Sequence, residues 1–174
     1  MNSYLRQIAF AGLVISLGVA IPLAIHATGA GNVGRVLLPM FLPVVAGAFF
    51  LTPGVAVFVG AVTPYVSALS TGMPPIFPIG VLMSVELALI SGIISVMYGR
   101  LGMNIWLALG TAILADRALL ALLAAGLAPA LGLPQNMVTW VALLYGLPGF
   151  ALQLLIVPPL VRRLHHAAAS NASE

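Results

Sequence analysis

Three ionisable side chains stand inside long apolar stretches of the sequence. Glu86 lies in "VLMSVELALIS", and Asp116 and Arg117 are neighbours in "TAILADRALLAL". Ionisable groups are costly to bury, so they normally pair with an opposite charge, face a watery cavity or contact a polar ligand. Adjacent helical residues point about 100° apart, so Asp116 and Arg117 are expected to need partners on other elements. The sequence predicts an interhelical pair between Glu86 and Arg117, which is either structural or part of a ligand site.

The composition indicates whether these residues are surrounded by water or by lipid. Of 174 residues, 62% are hydrophobic and 5% are charged, a balance that indicates an integral membrane protein in a lipid bilayer. The net charge of +3 comes from scattered arginines, and the chain has no Lys, so no nucleic-acid partner is expected. The absence of Cys excludes disulfides and thiolate chemistry.

Apolar runs give the expected architecture. A hydrocarbon core about 30 Å thick requires roughly 20 helical residues. The sequence therefore predicts an all-α membrane protein with one domain, 1–174, built as a bundle of six transmembrane helices and ending in a flexible cytoplasmic tail, 165–174. The predicted spans are 5–26, 36–51, 54–70, 78–98, 104–127 and 137–161.

The arginines predict the orientation. With six spans, four of them fall on one side of the membrane and Arg35 falls on the other. Positive charge is enriched on the cytoplasmic side, so both termini are expected in the cytoplasm. The four are Arg6, Arg100, Arg162 and Arg163.

Small residues recur along the first span. Gly12, Ser16, Ala20 and Ala24 occupy every fourth position and lie on one helical face, where another helix backbone can approach closely. This small-residue face is either a surface for docking a partner or ordinary packing within the bundle.

Two loops on the predicted outer side differ in character. The segment "HATGAGNVGR" is rich in glycine and ends in Arg35, so it is flexible and can hold an anion or carboxylate. The segment "STGMPPIFP" contains Met73 and three prolines, which make it stiff and apolar, like a lid. Together they indicate a gated pocket open to the outside, although both could be simple connectors.

Enzymatic chemistry is not expected. Glu86 and Asp116 are the only acids within spans, and His165 with His166 belongs to a basic tail rather than to a metal site. No phosphate-binding loop of the G-x-x-x-x-G-K-[ST] type occurs, so no ATP and no other cofactor is expected in this chain. One alternative is a self-sufficient small transporter coupled to protons through Glu86 or Asp116, although no internal repeat is evident.

Prolines interrupt the second predicted span, "LLPMFLPVVAGAFFLTPG". Pro39 is expected to begin the helix and Pro53 to end it. Pro43 is expected to leave the carbonyl of Pro39 without its helical partner, which would bend the outer end of the span along a polar cavity.

Several motifs support a family resemblance. The segments "PMFLPVVAG", "TPYVS", "GMPPIFPIGVLMSVE" and "YGLPGFALQLLIVPPLV" resemble, in order and type, the substrate-binding S components of energy-coupling factor (ECF) transporters. Similar members have "PMHxPV-AG", "TP--S" and "GMPP--P----ME". Where they carry His, this chain carries Phe41, so its substrate is expected to differ.

The resemblance implies a function and partners. S components capture a vitamin or related micronutrient from outside, then associate with a transmembrane coupling subunit and two ATPase subunits in a bacterial-type inner (plasma) membrane. Cobalamin, pantothenate, folate and queuosine-like bases are the candidate substrates. The small-residue face looks like the family's Ala-x-x-x-Ala docking seam, which would fall on Ala20 and Ala24. Substrate-binding candidates implied by the resemblance are Arg35, Met40, Phe41, Tyr65, Met73, Glu86, Arg117, Trp140 and Tyr145.

Overall fold

The computed structural model describes residues 3–27, 38–123 and 146–170, and their side chains over 4–27, 38–123 and 146–167. These ranges are helical and contain no strand. Val81–Ile94 is followed by a π-helical turn, Ser95–Arg100. It is preceded by the turn Ile76–Gly80, in which Phe77 has extended backbone angles (φ −119°, ψ 137°). The α-helices of the described ranges are α1 (Ser3–Ala27), α2 (Phe41–Ala48), α3 (Pro53–Thr71), α4 (Val81–Ile94), α5 (Ile105–Leu122) and α6 (Leu147–Ser170).

Five helical segments are long and apolar enough to cross a membrane. The predicted all-helical, multi-pass class is therefore confirmed, and four predicted spans match described helices closely because each is long and predominantly apolar. The five segments are Tyr4–Ala27, Pro53–Thr71, Ile76–Arg100, Ile105–Leu122 and Leu147–Ala167.

The second predicted span, 36–51, takes a different form. Within its described part, α2 has only 8 residues, about 12 Å at a rise of 1.5 Å per residue. All of them except Leu42 are buried. The helix is therefore too short to span the bilayer alone and packs inside the protein.

The prolines of this region do not act as predicted. Pro43 lies in the first turn of α2, where its missing N–H has no helical partner to lose, so it stands at the start of a short helix instead of bending a longer one. Pro39 lies in the turn before the helix. Pro53 begins α3 behind Thr52 rather than ending the second span.

The last helix lies further along the chain than the span predicted for it. Residues 137–145 of that span are outside the described ranges, and α6 runs from Leu147 to Ser170 with Pro158 and Pro159 inside it. The predicted tail, 165–174, thus overlaps helix as far as Ser170.

Close backbone approach holds the first helices together. A Cβ added to Gly18 would lie 2.7 Å from Thr63 Cγ2, and one added to Gly47 would lie 2.6 Å from Val14 Cγ2. A Cβ on Gly60 would meet the Leu87 carbonyl oxygen at 2.4 Å. Glycine at these three positions permits the tight packing of α1 on α2 and α3, and of α3 on α4.

Hydrogen bonds define one end of the bundle, where α1 begins. Gln7 Nε2 donates to the Phe50 carbonyl at 3.1 Å, and Gln7 Oε1 accepts from Thr52 N–H at 3.0 Å. Ser95 Oγ donates to the Leu51 carbonyl at 2.6 Å. The start of α1, the segment between α2 and α3, and the end of α4 therefore meet.

The end of α6 joins the same place. The His165 ring stacks on Phe50 with centroids 4.6 Å apart, and its Nε2 lies 3.1 Å from the Tyr98 hydroxyl. The four arginines predicted on the cytoplasmic side are exposed at this end, which we call the basic end. They are Arg6, Arg100, Arg162 and Arg163.

We expect Gln7→Leu to lower the free energy of unfolding by about 1–2 kcal/mol, because the substitution removes the two hydrogen bonds that the Gln7 amide makes to Phe50 and Thr52. Unfolding by denaturing detergent, followed by circular dichroism, measures the loss. The control is Tyr4→Leu, at an exposed side chain one turn earlier. Equal stability of Gln7→Leu and the wild type would show that water or lipid headgroups replace the two bonds.

Candidate functional site

Two helices bring the intramembrane charges together. Arg117 Nη2 of α5 lies 3.5 Å from Glu86 Oε1 of α4 and 2.6 Å from Asp116 Oδ2. Glu86 is 6% exposed and Asp116 is fully buried, whereas the Arg117 side chain keeps 16% of its surface. We call these three residues the charge cluster.

The cluster confirms one pairing and corrects another. Glu86 and Arg117 form the predicted interhelical pair. Arg117 thus has the expected partner on another element, but the expectation that Asp116 needs one is wrong. The long Arg117 side chain turns back and donates from Nε at 3.1 Å and from Nη2 at 2.6 Å to Asp116 Oδ2. A flexible guanidinium reaches a neighbour that the helical angle alone would exclude.

An aromatic wall closes one side of the cluster. Arg117 Cζ lies 4.4 Å from the centroid of the Phe150 ring on α6, which is cation–π geometry. Phe150 packs edge-on against Phe41 of α2, with centroids 6.3 Å apart. A Cβ on Gly146 would lie 3.0 Å from Arg117 Nη1, so the glycine leaves room for the guanidinium. Four helices, α2, α4, α5 and α6, thus meet at the cluster.

Polar atoms at this level lack partners. Within the described ranges, Asp116 Oδ1 and both amide atoms of Gln153 are buried without a hydrogen bond, and Gln153 is 1% exposed. Gln153 follows Phe150 by one helical turn, a rise of about 4.5 Å. Each unpaired buried polar group costs about 1–3 kcal/mol. The cluster therefore holds an unused carboxylate acceptor, and α6 carries an unused amide one turn beyond Phe150.

Only part of the predicted pocket assembles here. Phe41, Glu86 and Arg117 come together through Phe150. Met40 is buried in the core, and Phe41 is 1% exposed, so Phe41 packs inside the protein rather than on an open rim.

The other predicted pocket residues lie elsewhere. Tyr65 is half-buried on α3, and Met73 is 54% exposed beyond the end of that helix. Neither joins the cluster in any described contact. Arg35, Trp140 and Tyr145 lie outside the described residues.

The sequence offered a signal for Gln153 that the prediction missed. In "GFALQLLIV" the glutamine is the only polar side chain, and a lone amide in an apolar membrane helix generally marks a hydrogen-bonding site. Phe150 carried no comparable signal, because aromatic residues are common in any apolar helix. Asp116 was recognised as an intramembrane acid but was not placed among the substrate contacts.

The small-residue face of α1 points away from the described bundle. Gly12, Ser16, Ala20 and Ala24 are all exposed, whereas the opposite side of the helix is buried against α2 and α3. A Cβ on Gly12 would have no atom within 4 Å. The packing alternative for this face therefore finds no support among the described residues.

The chain is thus an all-helical, multi-pass membrane protein with a charge cluster buried among its helices. The cluster can pair charges and accept or donate hydrogen bonds. Among the described side chains, no three His, Asp or Glu residues form a group that could hold a metal ion. No protein-family model matches the sequence, and no curated protein matches it.

Proposed function

We propose that this chain is the substrate-capture subunit of an ECF-type uptake system. It would have six spans with both termini in the cytoplasm, and it would bind a vitamin or related micronutrient from outside. A transmembrane coupling subunit and two ATPase subunits would then drive release inward. The observation that carries this proposal is the buried cluster with its unpaired Asp116 Oδ1 and Gln153 amide.

The free-energy cost of leaving these atoms without hydrogen bonds favours the binding of a polar ligand. Hydrocarbon offers no hydrogen bonds, so polar groups at membrane depth persist where protein, water or a ligand satisfies them. The described protein pairs one carboxylate oxygen of Asp116 and leaves the other free. A polar ligand that supplies the missing donors would stabilise the site.

The depth of the cluster suits capture from outside. Glu86 lies ten residues from the Ile76 end of its helical segment and fourteen from the Arg100 end. The cluster is therefore nearer to the end opposite the arginines. With the basic end in the cytoplasm, it falls in the outer half.

The exposed small-residue face supports dependence on a partner. A row of Gly, Ser and Ala side chains lets a second transmembrane helix pack at short distance. The chain carries no ATP-binding loop, so ATP hydrolysis would fall to partner subunits.

We expect Ala20→Trp and Ala24→Trp to reduce uptake in cells by about tenfold or more, because a bulky ring blocks close helix packing. Binding should stay within about twofold of the wild type. The ligand is the compound that co-purifies with the protein, identified by mass spectrometry. Ala118→Trp, at an exposed position on α5, is the matched control and should transport normally. Loss of binding together with uptake would count against a docking role.

A self-sufficient transporter is the second candidate, because two carboxylates share one guanidinium and such a site can exchange protons. This alternative predicts uptake by the purified protein alone in liposomes. That uptake would depend on a proton gradient and would not respond to ATP. Absence of uptake without partners would favour the capture subunit.

A further inference from the structure

The charges of the cluster do not balance. Glu86 and Asp116 supply two carboxylates, and Arg117 supplies one guanidinium. The only other acid of the chain is Glu174, and the exposed arginines of the described residues lie at the basic end. With both acids ionised, the cluster carries one negative charge in excess. A buried excess charge is costly until a proton or a bound cation offsets it.

The unpaired atoms are the polar groups that a ligand could satisfy. Asp116 Oδ1 is a fully buried acceptor without a donor. Gln153 offers an unused donor and an unused acceptor on the buried side of α6 that also carries Phe150.

On the basis of the proposed capture function, we infer that the cluster recognises a small molecule bearing a positively charged nitrogen and an amide-like edge. The nitrogen donates to Asp116 and neutralises the excess charge. The edge exchanges a donor and an acceptor with Gln153. Two of the candidate substrates, pantothenate and folate, carry carboxylates that the cluster would repel, so these two are disfavoured.

The test uses three benzamide probes of similar size and different charge. They are meta-aminomethylbenzamide, meta-hydroxymethylbenzamide and isophthalic acid monoamide, which are positive, neutral and negative at neutral pH. Each is titrated against the purified, detergent-solubilised full-length protein, and binding is followed by the rise in unfolding temperature. We expect the amine to bind at least about tenfold more tightly than the alcohol.

Variants then assign the preference to the cluster. Asp116→Asn and Glu86→Gln each remove one negative charge and should reduce the difference between amine and alcohol to about twofold. Gln153→Leu should weaken both probes about equally. Glu174→Gln, at the remaining acid, should bind all three probes as the wild type does. If the two acid variants fail to fold, the wild-type ranking of the three probes still decides the outcome.

Three results would overturn the inference: equal binding of amine and alcohol, tighter binding of the acid, or no amine binding up to about 10 mM. Tighter binding of the acid would instead favour Arg35 as the predicted anion contact. These results are separate from the proposed uptake role, because the titration needs no partner subunit. If the amine binds and the chain supports no uptake in cells, the capture proposal fails and the ligand class stands.

Discussion

Replacing Arg117 by Met should lower the free energy of unfolding by about 3–5 kcal/mol, because two buried carboxylates then lose their common counter-charge. The side chain also contacts Phe150, so part of the loss comes from packing on the ring. Reversible unfolding in mixed micelles, monitored by tryptophan fluorescence or circular dichroism, measures the change. We expect this to be the largest effect of any single arginine substitution among the described residues.

Two comparisons isolate the charge contribution. Arg162→Met, at an exposed position of the basic end, should change stability by no more than about 0.5 kcal/mol. The double variant Asp116→Asn/Arg117→Met leaves one buried acid instead of two, so it should be more stable than Arg117→Met alone. If Arg117→Met unfolds at the wild-type midpoint, the carboxylates are not held by the guanidinium.

The contact between α3 and α4 gives the second large effect. Gly60→Ala should destabilise the protein by about 3 kcal/mol, the upper end of overpacking costs, because the new Cβ would lie 2.4 Å from the Leu87 carbonyl oxygen. A backbone atom cannot rotate away as a flexible side chain can. The two helices must therefore separate, and the packing along their length is lost.

The same helix provides the matched control. Gly54 also lies in α3, and a Cβ added there would have no atom within 4 Å. Gly54→Ala should therefore be neutral or stabilise the protein by up to about 1 kcal/mol, through reduced freedom of the unfolded chain. Equal effects of the two substitutions would argue that backbone entropy, and not helix contact, decides the response at Gly60.

Hydropathy predicted those helices that are long and predominantly apolar. The predicted span 54–70 corresponds to Pro53–Thr71, and 78–98 corresponds to Ile76–Arg100. Hydropathy could not predict the form of α2, because a helix buried within the protein and a helix facing lipid contain the same types of apolar residue. Its prolines lie at helix starts, and a sequence does not show whether a proline falls in a first turn or in a helix interior.

The candidate site was predictable where charge is the signal. Glu86 and Arg117 stand out against apolar neighbours and have opposite charges. Their pairing could therefore be predicted from the free-energy cost of burying an unpaired charge. The place of Phe150 beside them depends on how α6 packs against α5. That packing is a property of residues more than thirty positions apart, which no local pattern encodes. The rotamer that returns Arg117 to Asp116 is likewise set by its surroundings.

Helix α6 contacts the charge cluster near its first residues and the basic end near its last. Phe150 meets the guanidinium of Arg117, and His165 stacks on Phe50 at the basic end. Between these contacts, Pro158 and Pro159 lack the N–H groups that would bond to the carbonyls one turn earlier, which weakens the helix there. The helix is therefore two stiff segments joined at a compliant point, rather than a single rod. If a bound molecule displaced Phe150 slightly, the helix could bend at these prolines, and the stacking of His165 on Phe50 would be kept.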